Sequence, residues 1–145
     1  MRELELQAVV AGGGCVHRRN LSDGILIKEN HQVFVSGEEL LERARNSRSP
    51  LHRIEIEVQD LGLLKAILKN PPDVIMLDNL PLNSLREAVD MIRTQTQGRT
   101  QIEVSGGITP EAVSSISELD IDYISVGRLT HSAPSLDLSL DLKKL

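Results

Sequence analysis

Five charged side chains sit within or just after short apolar runs: Lys28 after Ile25–Ile27, Glu55 and Glu57 inside Ile54–Val58, Asp78 after Val74–Leu77, and Glu103 inside Gln101–Ser105. In an extended strand, successive side chains point to opposite faces. Ile54, Ile56 and Val58 therefore share one face, and Glu55 and Glu57 take the other. The same alternation sets Ile75 and Leu77 against Val74, Met76 and Asp78, and Ile102 and Val104 against Gln101, Glu103 and Ser105. It also sets Ile25 and Ile27 against Leu26 and Lys28, and Ile124 and Val126 against Tyr123, Ser125 and Gly127. Several carboxylates sharing one interior are costly unless cations, a metal or a ligand compensate them. Most of these polar residues lie at the carboxyl ends of their strands, which is where barrel enzymes place their chemistry. Two blander accounts compete: an antiparallel sheet with one wet face, and a structural ion-pair network around Lys28.

Two glycine turns add an anion signal. Ser105-Gly106-Gly107 ends one strand and precedes a helix start, and Gly127 ends the next strand. Glycine lets the backbone approach an anion, and free N–H groups at a helix start bind it. Paired turns after adjacent strands match the usual phosphate site of a barrel. Earlier in the chain, Gly12-Gly13-Gly14 leads into Cys15, Val16, His17, Arg18 and Arg19. Arg can clamp a carboxylate with paired hydrogen bonds, so with Lys28 this loop would supply a basic half of the pocket.

The elements that must position these groups alternate strand and helix, the grammar of a parallel sheet. Residues 1–10 predict a helix. Strands are expected at 24–28, 53–58, 73–78, 101–105 and 122–126. Helices are expected at about 37–46, 61–69, 83–96 and from 110, with Ser36, Asp60 and Thr109 as N-caps. A last helix is expected over 133–142, although LDLSLDL also alternates like a strand. The fold class expected is α/β, a parallel-strand barrel of TIM type. It is incomplete, because a full barrel needs eight strands and about 250 residues and this chain offers five or six in 145.

Composition narrows the partners. One Phe, one Tyr and no Trp leave no base-stacking platform, and a net charge of −5 argues against nucleic acid or an acidic membrane. No apolar run approaches a membrane span, and no signal peptide is evident. The single Cys15 rules out an internal disulfide framework and fits a cytoplasmic setting. His31 and His52 read as ordinary loop or strand-end residues.

The segments GGGCVHRRNLSDGILIKENH, IEIEV, VIMLDN, EVSGGIT and DYISVGRLTHSAPSLDLSLD resemble, in order, those of quinolinate phosphoribosyltransferase, also called nicotinate-nucleotide pyrophosphorylase (carboxylating). The resemblance implies a reaction: quinolinate and phosphoribosyl pyrophosphate, with Mg²⁺, give nicotinate mononucleotide, pyrophosphate and carbon dioxide in NAD biosynthesis. It implies that His17, Arg18 and Lys28 bind the quinolinate carboxylates. It places Glu57 and Asp78 at the ribose hydroxyls and near the metal, with no direct metal ligand, and makes Lys28, Glu57 and Asp78 the catalytic set. It gives the phosphate to Ser105, Gly106, Gly107, Gly127 and His131, and leaves Asn79 and Glu103 to support that inner set.

The same resemblance makes residues 1–145 the carboxyl-terminal barrel portion, truncated at its amino end. The family's amino-terminal domain, which gives an Arg to the partner's site, and a Thr-Arg-Lys-Thr strand end have no counterpart here. Val16 replaces a usual Asn and Arg128 a usual small residue. The expectation is therefore little turnover by the chain alone, and a homo-oligomer or a complementing chain as partner, because open sheet edges invite association. Two other readings remain: a non-catalytic barrel that binds phosphate or nucleotide, and a family paralogue with another substrate, which should lose the His17–Arg18–Lys28 set.

Overall fold

The computed structural model describes residues 1–143. In chain order the elements are α1 (Arg2–Ala11), β1 (Ile25–Ile27), a 3₁₀ turn (Glu29–Val33), α2 (Gly37–Ser47), β2 (Ile54–Val58), α3 (Leu61–Ile67), β3 (Val74–Asp78), α4 (Leu82–Thr96), β4 (Gln101–Ser105), α5 (Pro110–Ser117), β5 (Tyr123–Ile124) and α6 (Arg128–His131). They form two compact units, His17–Val126 and the pair of segments Met1–Val16 with Gly127–Leu145.

In the larger unit the five strands make one parallel sheet in sequential order β1-β2-β3-β4-β5. Parallel neighbours need a crossover, and a helix supplies each one. The apolar strand face holds Ile54, Ile56, Val58, Ile75, Leu77, Ile102 and Val104, all at most 3% exposed. Against it the helices turn Leu41 and Ala44, Leu64 and Ile67, Leu85, Ala88, Val89 and Ile92, and Ile116. Spacings of three and four residues put these side chains on one stripe of each helix.

The caps read from the sequence are formed. Ser36 Oγ accepts from the Glu39 amide at 3.3 Å, Asp60 Oδ1 from Leu63 at 2.9 Å, and Thr109 Oγ1 from Ala112 at 3.4 Å. The amino ends of the strands carry a repeated device. Asp73 Oδ2 accepts from the Ile54 amide at 2.7 Å and from Arg48 Nη1 at 2.6 Å. Asp122 Oδ2 accepts from the Ile102 amide and from Arg93 Nη2, both at 2.8 Å. An aspartate before one strand thus pins the start of its neighbour and the arginine of a helix end.

Two expectations are corrected. β5 spans two residues rather than five, although its pairing continues through bonds from the Asp122 and Ser125 amides to Ile102 and Val104. Residues 133–142 form neither helix nor strand. Leu136, Leu138, Leu140 and Leu142 recur every second residue, which gives no helical stripe, and they are 84–88% exposed. The helix in this region is the one-turn α6 instead. Within the smaller unit α1 lies beside α6 and ends at Gly12. Among the described residues no helix is long and apolar enough to cross a membrane.

Candidate active site

The second strand face is where the sheet departs from an ordinary core. Glu55, Glu57, Asp78 and Glu103 are all buried there, none more than 8% exposed. Register explains the spacing: Glu57 pairs with Met76, Met76 with Glu103, and Asp78 with Ser105. The acids divide into two groups.

The first group forms around His17. Its Nε2 lies 3.1 Å from Glu55 Oε2 and 3.6 Å from Glu103 Oε2. Ser125 donates its hydroxyl to Glu103 Oε1. The hydrogen bond to Glu55, helped by the charges of Glu55 and Glu103, raises the His17 pKa, against the opposing effects of burial and of Arg18. Burial raises Glu103, assisted by the Glu55 charge, while Ser125 and His17 pull it down. The imidazole nitrogen and the two carboxylates offer ligand atoms within 4.8 Å of one another, a spacing that shared protons or one divalent cation can bridge.

The second group is Glu57 and Asp78 at the carboxyl ends of β2 and β3. Burial, with the neighbouring carboxylates of Glu29 and Asp78, pushes Glu57 up to about 7. Asp78 Oδ2 accepts from Asn79 Nδ2 at 2.7 Å and from Gln59 Nε2 at 3.1 Å. Beside Glu57 lies a small cleft of about 210 Å³, lined by Glu29, Gln32, Val33, Gln59, Asp60 and Leu63 together with Glu57 itself.

The glycine turn is built against this group. Gly106 and Gly107 have φ of +90° and +58°, the region open to glycine. The turn thereby follows Ser105, whose carbonyl accepts from the Asn79 amide at 3.0 Å.

The basic half is arranged differently from expectation. Lys28 follows β1, the edge strand of the sheet, is exposed, and makes no ion pair among the described residues. Its backbone is still extended, at φ −102° and ψ 166°. His17 sits among the carboxylates rather than opposite them. Arg18 is half-buried and its Nη1 donates to the Gly24 carbonyl at 3.3 Å. Gly127 and His131 belong to the smaller unit, where a Cβ on Gly127 would come within 3.2 Å of the His131 ring. The structure adds Glu29, Gln59 and Ser125. Strand alternation already put Ser125 on the inward face, whereas contacts made by Glu29 and Gln59 arise in loops that have no periodicity.

A family model described as the carboxyl-terminal domain of quinolinate phosphoribosyl transferase matches residues 1–141. The chain belongs to the quinolinate phosphoribosyltransferase family. Its relatives include proteins named probable nicotinate-nucleotide pyrophosphorylase [carboxylating] in Methanocaldococcus jannaschii, 40% identical over 96% of this chain and 50% of that protein, and in Bacillus subtilis, 39% identical over 98% and 48%. The solved structure of NadC from Streptococcus pyogenes is 41% identical with a TM-score of 0.82, covering 94% of this chain and 47% of that one. A NadC deletion mutant in a cubic space group gives 40% and 0.85 over 94% and 47%. The five-stranded parallel sheet with its flanking helices is thus the α/β barrel-type architecture of this family's carboxyl-terminal domain. The chain spans about half the length of the curated relatives it matches.

Proposed function

We propose that this chain carries the phosphoribosyl-transfer site of a quinolinate phosphoribosyltransferase, forming nicotinate mononucleotide, pyrophosphate and carbon dioxide. The observation that carries the reading is the assembly at the ends of β2, β3 and β4, in a chain matching the family over residues 1–141. There, Glu57 and Asp78 stand beside a turn whose Gly106, at φ +90°, leaves no room for a Cβ against Asn79.

In this reading, Lys28, His17 and Arg18 bind the two carboxylates of quinolinate. Lys28, exposed and without an ion pair among the described residues, is available to an anion. Glu57 and Asp78 face the ribose hydroxyls, and their negative charge stabilises the cationic ribosyl centre left when pyrophosphate departs. The Ser105-Gly106-Gly107 turn would bind phosphate. The residues suit Mg²⁺: Glu57 Oε2 is buried without a hydrogen-bond partner, and carboxylate oxygens match a hard cation and its water shell. Glu57 and Asp78 are the side chains that would face that shell. Arriving with phosphoribosyl pyrophosphate, Mg²⁺ would offset the charge of the leaving pyrophosphate. Near such a cation Glu57, half-protonated near neutrality, would ionise.

The test is quinolinate-dependent pyrophosphate release by the purified chain with phosphoribosyl pyrophosphate and Mg²⁺, beside Lys28→Ala. Turnover that the substitution abolishes supports the reading. A second reading, a barrel portion that binds phosphate or nucleotide without turnover, is favoured by the chain's matching only about half of its relatives' length. Phosphate binding with no turnover, alone or with a complementing chain, would select it.

A further inference from the structure

We propose that Glu55 and Glu103 are positioning residues that clamp the His17 ring by its Nε2 edge, so that His17 meets an acidic ligand through its Nδ1 edge as a fixed cationic donor. The part that concerns the ligand rests on the function proposed above; the part that concerns the ring does not.

The clamp comes from two strands that are not neighbours. Glu55 stands on β2 and Glu103 on β4, with β3 between them, and the ring reaches both, at 3.1 and 3.6 Å. One edge is therefore among carboxylates whose side chains are 11% and 6% exposed, while the His17 side chain is 39% exposed. Nδ1 makes no hydrogen bond among the described residues.

Charge decides what the outer edge offers. A neutral ring that donates from Nε2 presents Nδ1 as a bare acceptor, which repels a carboxylate ligand. A doubly protonated ring presents Nδ1–H as a charged donor, worth roughly twice a neutral one. Glu55 and Glu103 favour this form; Arg18, the other charged group facing the ring, opposes it. Burial pushes Glu103 toward its neutral form, while the Ser125 hydroxyl and His17 draw it toward the ionised one. A divalent cation between the same three groups is the rival arrangement. Glu103 Oε1 is already engaged by the Ser125 hydroxyl, which leaves Oε2 to the ring.

The experiment is ring-nitrogen NMR of the full chain, with the His17 signals assigned by their loss in His17→Ala. The expected result is a His17 ring protonated on both nitrogens near neutrality. Its titration midpoint should fall in Glu55→Gln and fall less in Glu103→Gln, while the other histidine signals stay in place. Calorimetry with quinolinate is the second arm. Glu55→Gln should bind about 10-fold more weakly than the unmodified chain near pH 8 and recover toward it near pH 6, where the ring charges with less help, so that its affinity falls more steeply as pH rises. A ring with a bare Nδ1 near neutrality, a midpoint unmoved by Glu55→Gln, or stoichiometric Zn²⁺ uptake that His17→Ala abolishes would each overturn the proposal. If the ring behaves as expected and quinolinate binds at no pH, the clamp stands and the proposed function fails. Should Glu55→Gln not fold, Glu103→Gln and the spectrum of the unmodified chain still decide.

Discussion

A Cβ on Gly106 would lie 2.4 Å from Asn79 Cγ and 2.6 Å from the Asn79 amide nitrogen. Asn79 is itself in the left-handed region, at φ +54°, and is tied by its amide to Ser105 and by its side chain to Asp78. The turn after β4 and the acid at the end of β3 are therefore one mechanical unit, and disturbance of either is felt by both.

Gly106→Ala tests that unit. The obstacle includes backbone, so a rotamer change cannot clear it, and φ at Gly106 is +90°. The expected cost is about 2–4 kcal/mol, strain and displaced backbone together. Urea unfolding reads it, and phosphate affinity should fall in parallel. Asn79→Ala should cost less and act on Asp78, which would keep only its bond from Gln59.

Much of this arrangement was legible in the sequence, and for a physical reason. Alternation of Ile54, Ile56 and Val58 with Glu55 and Glu57 has a period of two, and a strand reports that period directly. The caps at Ser36, Asp60 and Thr109 are local, so three residues suffice to read them. What was not legible depends on distances along the chain. Residue spacing cannot bring His17 to Glu103, and it cannot tell that β1 stops short of Lys28. Nor can it separate an unpaired alternating segment such as LDLSLDL from a paired one, since pairing depends on what lies beside it.

Glu57 sets a pH dependence of stability. Its pKa in the fold is about 7, above the ordinary carboxylate value. Between those two values the folded chain holds a proton that the unfolded chain has released, so this group's contribution to stability declines as pH rises from about 4.5 to about 7, then levels. Glu57→Gln removes the penalty. Above pH 7 it should be more stable than the unmodified chain by roughly 1 kcal/mol or more, and near pH 4 the difference should vanish. Unfolding curves across that range would show a constant difference if the acid were not raised.

Lys28 separates binding from folding. It is exposed and makes no ion pair among the described residues, so Lys28→Ala should change stability by no more than about 0.5 kcal/mol. In the proposed function the same substitution removes a cation from the quinolinate carboxylates, and affinity should fall by about 10- to 100-fold. A large loss of stability would mean that Lys28 has a structural role.

The opposite end of the sheet should behave the other way round. Asp73 and Asp122 bind backbone amides of Ile54 and Ile102 together with Arg48 and Arg93. They sit at the amino ends of the strands, away from the glycine turn and from Glu57. In parallel barrels that end serves stability. Asp122→Asn keeps an acceptor for the Ile102 amide but loses charge toward Arg93. Asp122→Ala loses both and leaves the amide unmet. Charge-assisted bonds contribute about 1.5–3 kcal/mol, so Asp122→Ala should destabilise by about that much and Asp122→Asn by roughly half. Ligand affinities measured well below the unfolding transition should be unchanged in both. If Asp122→Ala instead weakened phosphate or quinolinate binding while the chain stayed folded, the division between a stabilising amino end and a functional carboxyl end would not hold for this sheet.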